Sequence, residues 1–126
     1  MSWQQYVDSN LVGTKKVSQG AIFGLDGSVW AKSSTLNTNA NEGKAIANGF
    51  GNPNGFAATG IVVGGVKYMF LRAQDNVVIG KKGQSGVHIA KTVKAIIVGI
   101  YDQPIVPSET AVVVEKLADY LKGVGF

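Results

Sequence analysis

The sequence contains no cysteine and only one histidine. Without cysteine there is no disulfide framework and no thiolate metal site, and the composition fits a reducing compartment. The single histidine, His88, has no second histidine and no cysteine with which to share a metal ion. We therefore expect no metal and no cofactor, and a structural or surface role for His88.

Long apolar runs are also missing. The longest, Ala95–Tyr101, has the length of a strand and falls far short of the roughly 18 residues that a membrane span requires. The first residues, Met-Ser-Trp-Gln-Gln-Tyr, lack the basic region and the apolar run of a secretory signal. These absences predict a cytoplasmic protein.

Catalytic motifs are absent as well. No nucleophile-elbow pattern surrounds a serine. The segment Gly80–Gly86 (Gly-Lys-Lys-Gly-Gln-Ser-Gly) looks like a phosphate loop, but it lacks the GxxxxGK(S/T) order and joins two predicted strands. We interpret it as a basic hairpin turn, and we expect a binding protein without catalytic residues rather than an enzyme.

The composition indicates one packed domain over residues 1–126, with 45% apolar and 16% charged residues. Lys and Arg outnumber Asp and Glu by 12 to 8, which gives a net charge of +4. That charge is compatible with an acidic protein, an anionic lipid surface or nucleic acid as a partner. Because no nucleic-acid-binding motif accompanies it, we expect no nucleic acid, and a monomer is the simpler expectation.

Helices are predicted at both ends of the chain. Apolar and aromatic residues from Trp3 to Leu11 recur at spacings of three and four, with Ser2 as the N-cap and Gly13 as the end of the helix. A second helix begins near Ser108, just after Pro107, and ends at Gly123. Its core-facing arc contains Val113, Val114, Leu117, Ala118 and Leu121, with Tyr120 at one edge and Lys116 beyond it.

The middle of the chain predicts one short helix and a series of strands. Asn39–Glu42 resembles a capping box that opens a helix through Asn48, and the glycine-rich segment 49–55 predicts a loop. The strand-like runs are Val17–Gly24, Val29–Ser33, Ala58–Val63, Lys67–Ala73, Val77–Lys81, Val87–Lys91 and Lys94–Tyr101. Because their connections are short, they pair antiparallel. The fold class is α+β, with an antiparallel sheet of about six to seven strands covered by helices.

The placement of the aromatic residues suggests a binding surface. Trp3 and Tyr6 are one helical turn apart near one end of the chain, and Tyr120 and Phe126 lie near the other. Trp30 lies in a strand of small and polar residues after a tight Asp-Gly turn. These rings could simply fill a core. If the terminal helices are neighbours, however, the rings form an exposed surface that suits a polyproline II ligand, whose carbonyls accept hydrogen bonds from Trp and Tyr.

Several segments spaced along the whole chain resemble the profilin family. They are Ser2–Asp8 (Ser-Trp-Gln-Gln-Tyr-Val-Asp), Gly24–Trp30 (Gly-Leu-Asp-Gly-Ser-Val-Trp), Gly64–Tyr68 (Gly-Gly-Val-Lys-Tyr), Gly80–Gly83 (Gly-Lys-Lys-Gly) and Val113–Leu121 (Val-Val-Glu-Lys-Leu-Ala-Asp-Tyr-Leu). The chain is most similar to the short amoeba and plant profilins. The resemblance implies α-β-α layers, with the N- and C-terminal helices on one face of the sheet and the smaller helix on the other.

The resemblance also implies three ligands: monomeric actin, proline-rich segments of filament-assembly factors, and phosphoinositide headgroups. Carried over by position, the proline-rich site comprises Trp3, Tyr6, Trp30, Tyr120, Leu121 and Phe126. Phe126 replaces a tyrosine of some family members, so the hydrogen bond of that tyrosine is missing. A profilin-like protein works in the cytoplasm, at the cytoskeleton and the cell cortex.

Basic residues cluster in the second half of the chain: Lys67, Arg72, Lys81, Lys82, Lys91, Lys94 and Lys116. They could simply keep the protein soluble. By the resemblance, the actin-facing surface uses Lys67, Arg72, Lys81, Lys82 and Lys116, and their charge suits an acidic partner. Some of the same cations could instead hold phosphoinositide phosphates, which would make the two ligands competitive.

Three functional hypotheses follow from the sequence. The first is an actin-monomer-binding protein that also binds proline-rich segments and phosphoinositides, and so regulates filament assembly. The second is a membrane-surface adaptor for phosphoinositides with little affinity for actin. The third, an unrecognised hydrolase, requires a pocket with a perturbed titrating group, and the sequence offers no candidate for one.

Overall fold

The fold is built on a seven-stranded antiparallel sheet in a computed structural model that describes residues 2–126. The strands are β1 (Gln19–Gly24), β2 (Val29–Lys32), β3 (Ile61–Val63), β4 (Val66–Gln74), β5 (Val77–Lys82), β6 (Ser85–Lys91) and β7 (Ala95–Tyr101). Their order across the sheet is β2-β1-β7-β6-β5-β4-β3, and every neighbouring pair is antiparallel. The predicted fold class is confirmed.

The helices are α1 (Trp3–Gln5), which continues as a π-helix (Tyr6–Leu11) and a 3₁₀ turn (Val12–Thr14), then α2 (Ala40–Gly49), α3 (Phe56–Thr59) and α4 (Pro107–Gly123). A further 3₁₀ turn, Pro53–Gly55, precedes α3. Pro107 occupies the first turn of α4, where its missing N–H has no helical partner to lose. No helix among residues 2–126 combines the length and the apolar character needed to cross a membrane.

The alternation of side chains along the strands divides the core into two parts. On one face of the sheet, Val7 and Leu11 of the first helix pack with the apolar side of α4. On the other face, Ile46 of α2 and Phe56 of α3 pack on the sheet. The predicted layers are therefore confirmed, with both terminal helices on one face and the smaller helices on the other.

The first helix departs from the regular α-helix that its periodicity predicts. Ser2 is the N-cap as expected, and its hydroxyl accepts a hydrogen bond from the Gln5 N–H. The expectation that Gly13 ends the helix is wrong, because Gly13 lies inside the 3₁₀ turn. The chain leaves the helix at Lys15, whose φ of +65° is left-handed.

The predicted loop over residues 49–55 is only partly correct, and the strand expected from Ala58 begins later. The segment contains the end of α2 and a 3₁₀ turn, and Ala58 belongs to α3. Phe56 organises this region: its ring is 5% exposed and lies 6.1 Å from the Phe70 ring of β4. A Cβ atom on Gly49 would lie 2.0 Å from the Phe56 ring, so only glycine allows α2 to end against it.

The capping box predicted at Asn39 is half formed. The Asn39 side chain accepts from the Glu42 N–H at 3.0 Å, as expected of an N-cap. The Glu42 carboxylate does not return to the cap. It accepts instead from the main-chain N–H groups of Gly64 and Gly65 at 2.6 and 2.9 Å, and from the Thr38 hydroxyl at 2.8 Å. Glu42 thereby ties α2 to the turn between β3 and β4.

Candidate functional site

The rings of Trp3 and Tyr6 are fixed by the start of the first helix. In the capping box, the Ser2 hydroxyl accepts from the Gln5 N–H at 3.1 Å and the Gln5 side chain accepts from the Ser2 N–H at 3.0 Å. Positions 3 and 6 therefore share one helix face, and their ring centroids lie 5.6 Å apart. The Gln4 side chain donates to the Lys32 carbonyl at 2.8 Å, which anchors the helix to β2.

Strand β2 carries Trp30, α4 carries Tyr120, and the turn after α4 carries Phe126. The ring centroids of Trp3 and Trp30 lie 4.7 Å apart, those of Tyr6 and Tyr120 6.2 Å apart, and those of Trp3 and Phe126 5.2 Å apart. Tyr120 is 54% exposed and Phe126 39% exposed, while the other three rings are half-buried. We call these five side chains the aromatic surface. The predicted meeting of rings from both chain ends is confirmed by this geometry.

Phe126 reaches the aromatic surface because the chain folds back after α4. The Phe126 N–H donates to the Leu121 carbonyl at 2.8 Å, and the Gly125 N–H donates to the Lys122 carbonyl at 3.2 Å. This pair of hydrogen bonds is the Schellman motif, which requires a left-handed residue, and Gly125 provides it with a φ of +91°. The helix ends at Gly123 as the sequence predicts, whereas the turn after it was not predicted.

Leu121 does not lie on the exposed surface. Its side chain is 1% exposed and packs in the core with Val7 and Leu117, beneath the aromatic residues. The core-facing position predicted for Leu121 is confirmed, and its assignment to the proline-rich site stays a prediction: Leu121 supports the surface through packing and through its carbonyl, which accepts from the Phe126 N–H.

The polar groups of the aromatic surface suit a ligand that accepts hydrogen bonds. Interaction with the Tyr120 hydroxyl, together with partial burial, raises the pKa of Tyr6 above its ordinary value of 10.0. The Tyr6 phenol is therefore a protonated donor at neutral pH. Indole N–H groups are also donors only, so this surface presents flat apolar faces with donors at their edges.

The five basic residues assigned to actin binding are all exposed, but they do not form one patch. Lys81 lies directly across from Met69 in the register of β4 and β5, and Lys67, two residues before Met69, points to the same face. Lys82 points to the opposite face by alternation. Lys116 lies on the outer side of α4, away from the sheet.

Exposed apolar side chains accompany the basic residues of β4, and sequence reasoning missed them. Met69 is 66% exposed and Leu71 50% exposed. A β-bulge between Phe70 and Arg72 interrupts the register at this point. The sequence signal for this exposed apolar area is the run Met-Phe-Leu at positions 69–71. Alternation along β4 places Met69 and Leu71 on the face opposite the buried Tyr68.

Lys94 belongs with the aromatic surface rather than with the other basic residues. Its Nζ lies 5.6 Å from the centroid of the Phe126 ring, within range of a cation–π interaction.

A groove of about 790 Å³ lies between α4 and strands β4 to β6. Arg72 and Leu71 line it from the sheet, and Glu115, Asp119 and Lys122 line it from α4. Charges of both signs thus meet at the edge of an apolar strand surface. Among residues 2–126, no group of three or more His, Asp or Glu side chains is placed to hold a metal ion.

His88 lies at the floor of this groove and is 4% exposed. Its Nε2 lies 2.8 Å from a carboxylate oxygen of Glu115. Burial lowers the pKa of His88 below its ordinary value of 6.5, and the opposing effect of Glu115 does not restore it. The imidazole is therefore neutral in the folded protein at pH 7. The sequence indicated a structural or surface position, and the structure places it inside, with a carboxylate partner 27 residues away.

Comparison with known proteins gives one consistent family. The Profilin family model matches residues 1–126. Profilin-1B of Acanthamoeba castellanii is 52% identical over all of both chains. The solved structure of Acanthamoeba castellanii profilin IB superposes with a TM-score of 0.95 at 52% identity, covering 99% of this chain and 100% of the other. The mouse profilin IIa structure, in complex with a double repeat from the FH1 domain of mDia1, shares the fold at a TM-score of 0.81 and 18% identity, with full coverage of both chains.

We predict that Gly125→Ala destabilises the protein by about 1 kcal/mol or more, because a Cβ atom disfavours its left-handed conformation. No neighbouring atom lies within 4 Å of that Cβ position, so the loss comes from the backbone alone. Gly123→Ala is the matched control, because it lies in the last helical turn with equally open space. Urea unfolding of both variants measures the difference, and equal stabilities would contradict the role of Gly125.

A second prediction concerns pH. Because the folded-state pKa of His88 lies below 6.5, the unfolded chain binds this proton first as the pH falls. The contribution of neutral His88 is fully present above pH 6.5 and is lost progressively below it, until the folded-state pKa is reached. Urea unfolding at pH 7.5, 6.5 and 5.5 should show that the free energy of unfolding falls as the pH is lowered, and His88→Gln should reduce the slope of this dependence on pH. Identical slopes in the two proteins would contradict the assignment.

Proposed function

The chain belongs to the profilin family, a family of actin-binding regulators, and on this basis we propose that it binds monomeric actin and proline-rich segments and so regulates filament assembly. The observation that carries the proposal is the aromatic surface. Five rings from both chain ends and from β2 lie within 6.2 Å of a neighbour and share one exposed face.

We assign the proline-rich ligand to the aromatic surface. A polyproline II helix is a preformed ridge with no internal hydrogen bonds, so its carbonyls are free to accept. Tyr6 and the two indoles offer donors beside flat apolar faces, as such a ligand requires. Phe126 offers a ring without a hydroxyl, so it contributes apolar contact alone.

We assign actin to the other flank of α4 and the adjoining strands. Met69 and Leu71 provide exposed apolar area there, and Lys67, Arg72 and Lys81 provide positive charge beside it. Interfaces commonly combine an apolar centre with a charged rim that steers association. The resemblance adds Lys82, at the end of β5, and Lys116, on the outer side of α4, and we include both as proposed rim contacts.

We also propose that the protein binds phosphoinositides. Exposed lysines on β4 and β5 would attract anionic headgroups at a membrane surface of the cell cortex, in competition with actin. If the protein were instead a membrane adaptor with little affinity for actin, vesicles containing phosphoinositide would bind it strongly at low salt while an actin pull-down retained none.

We predict that Trp3→Ala abolishes the change in tryptophan fluorescence that poly-L-proline causes in the wild-type protein. The Trp3 ring lies next to three of the other four rings, those of Tyr6, Trp30 and Phe126, so its removal opens the centre of the surface. Trp30 remains as a reporter. Actin binding should persist, and Phe50→Leu, which removes a half-buried ring at the end of α2, should bind poly-L-proline normally. Normal poly-L-proline binding by a folded Trp3→Ala variant would refute the assignment.

The actin surface has its own prediction. Arg72→Glu and Lys116→Glu should each weaken binding to monomeric actin by about 1 kcal/mol or more, roughly fivefold in Kd, because each brings a negative charge to an acidic partner. Lys44→Glu is the matched control, since Lys44 is an exposed lysine of α2 on the other face of the sheet. The measurement is a titration of labelled actin monomer. An equal loss of actin affinity in all three variants would contradict the assignment, because it would show that the effect comes from net charge and not from the positions of Arg72 and Lys116.

A further inference from the structure

The main-chain oxygen of Phe126 is held by the turn between β6 and β7. It accepts from the Thr92 hydroxyl at 2.5 Å and from the Lys94 N–H at 2.5 Å. The same turn places the Lys94 ammonium over the Phe126 ring. The turn between β6 and β7 contributes no ring to the aromatic surface. It nevertheless holds Phe126 in place, through hydrogen bonds to the Phe126 main-chain oxygen and through the contact of Lys94 with the Phe126 ring.

The Thr92 hydroxyl connects this turn to Phe126. It accepts from the Ala95 N–H at 3.0 Å, and its single proton has two possible acceptors. The Phe126 oxygen lies at 2.5 Å and the Ala95 carbonyl at 3.2 Å, so the closer Phe126 oxygen receives the proton. Thr92 is 6% exposed and Ala95 is fully buried, which places the link largely out of reach of water.

The opposite side of the same residue is held by α4. The Phe126 N–H donates to the Leu121 carbonyl, so both main-chain polar groups of Phe126 are engaged. With the backbone fixed on both sides, the ring meets Trp3 edge-on, at an interplanar angle of 80°. Fixing a binding side chain before the ligand arrives removes an entropic cost from association.

We propose that Thr92 is a positioning residue of the aromatic surface: its buried hydroxyl holds the backbone of Phe126 so that the fifth ring is in place for a proline-rich ligand. This inference rests on the proposed function of that surface. Thr92 itself is too buried to form part of the exposed surface, so its effect on a ligand passes through Phe126.

The test compares three variants. Thr92→Val keeps the shape of the side chain and removes the hydroxyl, whereas Thr92→Ser keeps the hydroxyl. Thr110→Val is the matched control, because Thr110 is also buried and its hydroxyl also donates to a distant carbonyl, that of Lys16 at 2.6 Å. Each variant is measured by urea unfolding, by poly-L-proline titration, and by the NMR signal of the Trp3 indole N–H in the free protein.

We expect Thr92→Val to weaken poly-L-proline binding about threefold to tenfold, the range that corresponds to one hydrogen bond. It should also shift the Trp3 indole signal, because the Phe126 ring moves. Thr92→Ser should restore both, and Thr110→Val should lower stability while leaving both unchanged. A folded Thr92→Val variant with wild-type affinity, or with an unshifted indole signal, would overturn the proposal, as would a Thr110→Val variant with the same loss of affinity.

The titration of the wild-type protein separates this inference from the proposed function. If wild-type protein does not bind poly-L-proline, the proposed function fails, and the indole signal alone decides whether Thr92 positions Phe126. If wild-type protein binds and Thr92→Val binds equally well, the function stands and the role of Thr92 is refuted.

Discussion

The packing of both chain ends on one face of the sheet determines the position of everything above it. Val7 and Leu11 of the first helix and Val114 and Leu121 of α4 are almost completely buried together. Burying one such side chain contributes roughly 1.5–3 kcal/mol, compared with about 0.5–1.5 kcal/mol for the specific contact of one aromatic pair. The aromatic surface is therefore a consequence of this shared core, since rings next to these buried residues have to emerge side by side.

Helix α4 separates the two candidate binding regions by its own geometry. Tyr120 emerges toward the first helix, whereas Glu115 and Asp119 emerge toward the groove over β4 to β6. Residues on opposite flanks of a helix are about 10 Å apart across its width. A proline-rich segment on one flank and a protein on the other could thus be held together without sharing contact residues. His88 and Glu115 lie on the groove flank, so protonation there does not involve the aromatic surface.

Local patterns in the sequence predicted most of the elements, because short-range chemistry decides them. The Ser2 cap, the Asp-Gly turn, and Pro107 at the start of α4 were all recognisable. The departures come from contacts that are distant in sequence. Glu42 leaves its own cap for a turn 22 residues away, and Phe56 packs on the sheet at the start of α3, which replaces the first residues of a predicted strand. Likewise the partner of His88 and the two donors to Phe126 could not be found by spacing, since no local period relates them.

The charges of this protein take little part in holding the fold together. Among residues 2–126, an ion pair joins Lys16 to Glu109, whose side chains are both substantially exposed, whereas the neutral His88 contacts Glu115 through a hydrogen bond. Surface pairs of this kind contribute about 0–1 kcal/mol. The lysines of β4, β5 and α4 therefore carry positive charge that the fold does not require for its stability. These lysines are therefore available to interact with a binding partner, because charge complementarity raises the rate at which a basic surface associates with an acidic protein.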